Sequence, residues 1–172
     1  YFEALIDAKD LSELPVAAFG LDFVQGFNEN LEAIEAGYFA NKEVFAGVVD
    51  GRNIWATDFV KTSALLEKIQ ANVKTLVVQP SCSLLHVPVT TKNETELEPV
   101  LKNGLAFADE KLQELKLLSQ RLDGEESDAY KQHVVDFDAL QAADFRNVTL
   151  ENLDDVATER VDYKVRRQVQ QE

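Results

Sequence analysis

The chain has 172 residues, 45% of them hydrophobic, and its 31 acidic against 17 basic residues give a formal charge of -14. That excess argues against binding to nucleic acid or to an anionic membrane surface, since both need cation-rich faces. A single cysteine, Cys82, rules out an internal disulfide framework and fits a reducing compartment such as the cytoplasm, and no stretch is apolar enough to span a bilayer.

The first apolar run, Pro15 to Val24, reads as a strand. After it Asn28 is placed to cap a short helix with Leu31, Ile34 and Tyr38 on one face and Gly37 as its stop. A second run, Val44 to Asp50, is followed by Thr57 or Asp58 as a cap and by Leu65, Ile69 and Val73 at four-residue spacing, which predicts another helix. The third run covers Lys74 to Gln79. All three are continuously apolar rather than alternating, the pattern of parallel strands buried on both faces.

From about Glu98 the chain turns helical and charged. Pro99 suits a first helical position, and Val100, Leu101, Leu105, Ala108, Leu112, Leu115 and Leu122 form one apolar stripe that Gly124 is placed to end. Ser127 can cap a further helix with Tyr130, Val134, Phe137 and Leu140; beyond it come Leu150, Leu153 and Val156, then a glutamine-rich end from Arg160. Lys164, Arg166 and Arg167 are its basic cluster, read as a solvated helix face rather than a nucleic-acid site.

Strand, helix, strand, helix, strand is the βα order of a parallel α/β sheet, and here only about three units are present. A closed eightfold barrel takes about 250 residues, so the expected fold is a partial (β/α)8 TIM-like barrel followed by C-terminal helices. Three strands alone would leave both sheet edges unpaired, which native proteins avoid. A start at Tyr1, no methionine and no leader-like segment agree with the expectation of a piece of something larger.

Four segments in this order, Tyr1-Phe-Glu3, Leu14-Pro-Val-Ala-Ala-Phe-Gly-Leu-Asp-Phe-Val24, Ala46-Gly-Val-Val-Asp-Gly-Arg-Asn-Ile-Trp55 and Ser81-Cys-Ser-Leu-Leu-His-Val-Pro-Val89, resemble the later part of the N-terminal domain of cobalamin-independent methionine synthase. Leu105 to Lys111 and the tail are also similar. The resemblance implies a fragment of a two-barrel enzyme that moves a methyl group from 5-methyltetrahydropteroyltriglutamate to L-homocysteine without cobalamin. It further implies that the zinc and most homocysteine contacts belong to a C-terminal barrel, the remainder of the parent chain. On that reading residues 1–172 belong to one N-terminal domain, with strand-helix units over about 1–90 and a helical region over about 98–172. The piece is expected to be inactive alone, to contribute no catalytic residue and to bind no zinc.

Candidate contacts with substrate or with the other domain lie where the strands end, because α/β folds place their chemistry there. They are Asp22, Asp50, Arg52, Asn53, Ser81 and His86. Asp50-Gly51 permits a tight turn, Arg52 can fork onto a carboxylate or phosphate, and Asn53 can cap the segment after it. The plainer alternative is scaffold: an Asp50 to Arg52 ion pair, or Asp22 paired with Arg52 across neighbouring strand ends. Trp55 and Phe59 are expected to anchor their loop to the wall, stacking on a pterin being the alternative. Cys82 and His86 would share a face if a helix opened at Ser81, a conceivable half-site for a metal. The plainer expectation is a buried thiol beside a histidine bonded to a loop carbonyl. His133, in a charged helix, is expected to face solvent.

No histidine with an acidic orienter completes a triad with Ser81 or Ser83, and the glycines are scattered rather than set in a phosphate loop. A self-standing acidic α/β module that binds a small anion or a protein is the competing reading.

Overall fold

The computed structural model describes residues 3–143. The stretches around Leu150, Leu153 and Val156 and the cluster Lys164, Arg166 and Arg167 lie outside them. By compactness the chain falls into two units, Tyr1–Leu140 and Gln141–Glu172, and the sheet belongs to the first.

Three strands form one parallel sheet in the order β1-β2-β3: β1 (Ala18–Asp22), β2 (Glu43–Val49) and β3 (Thr75–Pro80). Leu21 lies opposite Ala46, and Ala46 opposite Val78, with an irregularity between Gly47 and Val49 that shifts the register before β3 ends. The crossovers are helical: α2 (Phe27–Glu35) after β1 and α3 (Phe59–Gln70) after β2, with a short α1 (Ala8–Ser12) ahead of the sheet. This is α/β architecture, with three consecutive staves as a partial TIM-like barrel presents them.

The core sits between one sheet face and the helices. Leu21, Val44, Ala46 and Val48 meet Ile34, Phe39, Phe59, Leu66, Ile69 and Leu118 there, and Phe19, Leu76 and Val78 pack against them from the strand margins. Alternation sends Gly20, Phe45, Val77 and Gln79 to the opposite face. Burial on both faces holds at the end of β2, where Ala46 to Val49 are all buried; β3, with one strand neighbour among the described residues, has no fully buried residue.

Helix boundaries depart from expectation at two places. The cap of α2 is Gly26, not Asn28, which lies within the first turn. A side chain at 26 would stand 2.5 Å from the main chain of Glu3 and Ala4, so the entry to α2 is fixed by a close backbone approach. The helix ends before Gly37, whose φ of 77° reverses the chain; this turns Tyr38 outward and gives Phe39 the buried place expected for it. In α3 the expected Asp58 cap accepts from the Lys61 amide at 3.1 Å.

The long stripe from Val100 to Leu122 is two helices, α4 (Pro99–Asn103) and α5 (Ala108–Leu122). Between them the chain runs extended and pairs with the loop after β2: the Ala106 amide donates to Ile54 O at 2.8 Å and the Ala56 amide to Gly104 O at 2.9 Å. Leu112 is exposed, and the face of α5 turned to the core carries Lys111, Glu114 and Leu118. Gly124 ends α5 with a φ of 88°. The next helix, α6 (Asp128–Ala142), follows Ser127, whose Oγ accepts from the Tyr130 amide at 3.2 Å.

Candidate functional site at the strand ends

Asp22 closes β1 and is fully buried. Its Oδ2 accepts from the Glu3 amide at 3.0 Å and its Oδ1 from Val24 and Gln25 at 2.8 and 3.0 Å. Buried Asn30 completes the knot: its amide donates to Asp22 O and Glu3 O, and its Oδ1 accepts from Leu5. Three main-chain N–H groups thus converge on this buried carboxylate and satisfy it by hydrogen bonds.

The loop after β2 is built on nested side-chain turns. Asp50 Oδ1 accepts from the Arg52 amide at 2.8 Å and Oδ2 from Asn53 Nδ2 at 2.7 Å, and Asn53 Oδ1 accepts from the Trp55 amide at 3.0 Å. Asp50 thus meets the Arg52 main chain through a short Asx turn, which reaches the N–H two residues on. Asn53 caps a turn, not a helix. Arg52 itself stands exposed at the apex.

Ser81 joins this loop to the next. Its amide donates to Val49 O at 2.8 Å, and its Oγ accepts from the Gly51 amide at 3.3 Å. Gly51 is buried against Cys82, with a would-be Cβ only 2.7 Å from Cys82 O and 2.9 Å from Sγ. Asp50, Asn53 and Ser81 are therefore brought together around Gly51. Asp22 belongs to a separate knot at the end of β1.

His86 is not gathered in. No helix opens at Ser81; Ser83 caps a single 3₁₀ turn, Leu84–His86, on which His86 is exposed, and Cys82 is only partly buried. Neither the metal half-site nor the buried thiol-histidine pair forms. Trp55 is 44% exposed, so it does not anchor by burial; its main chain does so, through a bridge to Leu105, while Phe59 is buried as expected.

Beneath the β2 loop lies a charged group that the sequence pattern does not reveal. Lys111 is fully buried and its Nζ donates to Trp55 O at 3.0 Å. Burial pushes its ammonium below the usual lysine range, and the Glu114 and Asp50 carboxylates act in the opposite sense. Buried Glu114 takes the Thr57 amide at 2.9 Å and the Thr57 hydroxyl at 2.7 Å. His133, expected in solvent, lies 2.7 Å by Nε2 from Thr57 O, stacks on Phe59 with centroids 3.6 Å apart, and is 3.8 Å from Glu114. A carbonyl only accepts, so Nε2 carries the proton.

One turn earlier Glu110 accepts from Thr90 Oγ1 at 2.9 Å and from the Thr91 amide at 3.2 Å. Burial raises its pKa, but the Thr90 and Thr91 hydrogen bonds outweigh that and hold it below the usual value. The signal for these residues is periodicity: 111, 114, 115, 118 and 122 make a better helical stripe than one through Leu112, but charge at 111 and 114 disguises it.

The cluster holds hydrogen-bonding groups around a turn and an exposed guanidinium. Ser81 Oγ is held as an acceptor for the Gly51 amide, an arrangement that suits binding and orientation. Away from it, a cleft of about 480 Å³ between α2 and α3 is lined by Phe23, Phe27, Leu31, Val48 and Leu65. No described helix is long and apolar enough to cross a membrane.

Residues 1–74 match the family described as cobalamin-independent synthase, N-terminal domain. Over its whole length the chain is 68% identical to a 5-methyltetrahydropteroyltriglutamate--homocysteine methyltransferase of Streptococcus mutans, and 57% identical to proteins of that name from two strains of Streptococcus agalactiae. A protein of that name from Halalkalibacterium halodurans is 45% identical over 83% of the chain. The chain spans 23% of the length of the streptococcal relatives.

For the zinc that the synthase resemblance implies, the described residues do not fit. Among them no three or more His, Cys, Asp or Glu are placed to hold a metal ion, and Cys82 and His86 do not converge.

Proposed function

We propose that the chain works as part of a cobalamin-independent methyltransferase that moves a methyl group from 5-methyltetrahydropteroyltriglutamate to homocysteine. The observation that carries this is 68% identity, over the full chain, to a relative of that name. The 172 residues form part of one N-terminal domain, and the remainder of the longer polypeptide is their partner. That remainder supplies the zinc and most homocysteine contacts, in the cytoplasm.

Within this division of labour the β2 and β3 loops present Asp50, Arg52, Asn53 and Ser81 toward substrate or toward the other domain. Asn53 and Asp50 fix the turn, and Arg52 offers a planar, permanently charged fork suited to a carboxylate such as those of a polyglutamate tail. Asp22 acts as scaffold, and His86 is a surface residue that can meet the other domain. Closing such a face over the reacting groups would exclude water around a poorly electrophilic methyl group.

The test is methionine formation from homocysteine and the methylated folate. The polypeptide at the relatives' length should turn over, and Arg52→Ala should raise KM for the folate. The 172-residue chain alone should give no methionine. Turnover by the short chain, or none by the long one, would defeat the proposal.

A further inference from the structure

We propose that Lys111 is a positioning residue: its buried ammonium holds the loop from Asp50 to Asp58 in one arrangement through the Trp55 carbonyl. The inference rests on the reading of Asp50, Arg52 and Asn53 as ligand-facing groups. It deepens that reading by naming what sets their geometry.

Three residues in a little over one turn of α5 grip both strand-end loops. Glu110 takes the Thr90 hydroxyl and the Thr91 amide of the segment after β3. Lys111 takes the Trp55 carbonyl, and Glu114 takes the amide and hydroxyl of Thr57, both on the loop after β2. From α6, His133 reaches the carbonyl of that same Thr57. The β2 loop is thus fixed at two successive odd positions by charged or polar side chains from outside it, while its own Asp50 and Asn53 organise the turn ahead of them.

Lysine is seldom fully buried, and a charge there is a poor way to gain stability. An apolar side chain of similar length would fill the same space without desolvating an ammonium. What methionine could not supply is a donor for Trp55 O and a positive charge near Asp50 and Glu114. The geometry therefore separates two roles that usually travel together: removing the charge should leave the core intact and free the loop.

The test is Lys111→Met in the full-length polypeptide that carries these residues, read by thermal melting and by hydrogen exchange followed peptide by peptide. The variant should fold and melt close to the parent temperature, because relief of the desolvated ammonium offsets the partner lost by Trp55 O and Glu114. Exchange in the peptide covering 50–58 should speed up severalfold, with β2 and α3 unchanged. Folate KM should rise more than kcat falls. A variant that fails to fold, or melts well below the parent, makes Lys111 a structural residue and overturns the proposal. Unchanged exchange at 50–58 overturns it as well. Faster exchange with wild-type kinetics leaves Lys111 as the holder of the loop and instead removes Asp50, Arg52 and Asn53 from the ligand-facing set.

Discussion

Lys111 and Glu114 are buried charges one turn apart, and they respond to change in opposite ways. Glu114 accepts two hydrogen bonds from Thr57. Truncation strands buried donors, so Glu114→Ala should cost about 3 kcal/mol in urea unfolding, against about 1 for Glu114→Gln, which keeps an acceptor. For Lys111 the folded pKa lies below its unfolded value because burial disfavours the charge. Between those two values the unfolded chain holds more protons, so stability rises with pH. Raising pH from neutral toward the ordinary lysine value of about 10.4 should stabilise the parent relative to Lys111→Met; an equal or smaller gain in the parent would show that its ammonium is not penalised in the fold. His133→Phe tests the third member, since it keeps the stack on Phe59 and loses the bond to Thr57 O. A loss of about 1 kcal/mol is expected from differential melting.

At the scale of elements, what could be read from the sequence was whatever local patterning decides. The β-branched runs gave three strands, Asp58 the start of α3, Ser127 that of α6 and Gly124 the end of α5. What escaped was decided by distant neighbours. Gly26 caps α2 because the N-terminal segment crosses it, and the apolar run from Val100 to Leu122 is broken because Gly104 to Ala106 pair with the loop after β2. Asp50, Asn53 and Ser81, candidates from the sequence, lie together around Gly51, whereas the charged support from α5 looked like an ordinary solvated face. Two variants probe these elements. Asp58→Ala removes a cap whose carboxyl burial pushes up but whose bonds with Lys61 hold down, and should cost about 1 kcal/mol above the normal aspartate range. That difference should fade as pH falls through the depressed value, where the parent's carboxylate is protonated as well. Gly51→Ala would press a methyl into Cys82 O at 2.7 Å, and prising the β2 and β3 loops apart should cost about 1–3 kcal/mol by denaturant midpoint.

For the whole molecule the governing asymmetry is that, among the described residues, the helices pack on one face of the sheet. Helices pack on Leu21, Val44, Ala46 and Val48, whereas Phe45 and Val77 point to the other side and do not join that core. Within the described residues β1 and β3 each have one strand neighbour, so both are edge strands of this sheet. Both features are resolved if further staves continue the wall and the uncovered face becomes a packed barrel interior. A net charge of -14 opposes association between copies but does nothing to cover an apolar face. The 172-residue chain should therefore bind an apolar dye such as ANS and unfold with weak cooperativity, while a polypeptide of the relatives' length should bind little dye and show a sharp transition of its own. Adding salt sharpens the comparison. Screening the acidic surface should drive the short chain toward larger species in light scattering and leave the longer one unchanged. If the short chain instead stays monomeric in salt, excludes the dye and melts in one step, its own residues cover the sheet, and the self-standing binding module becomes the better account of Asp50, Arg52 and Ser81.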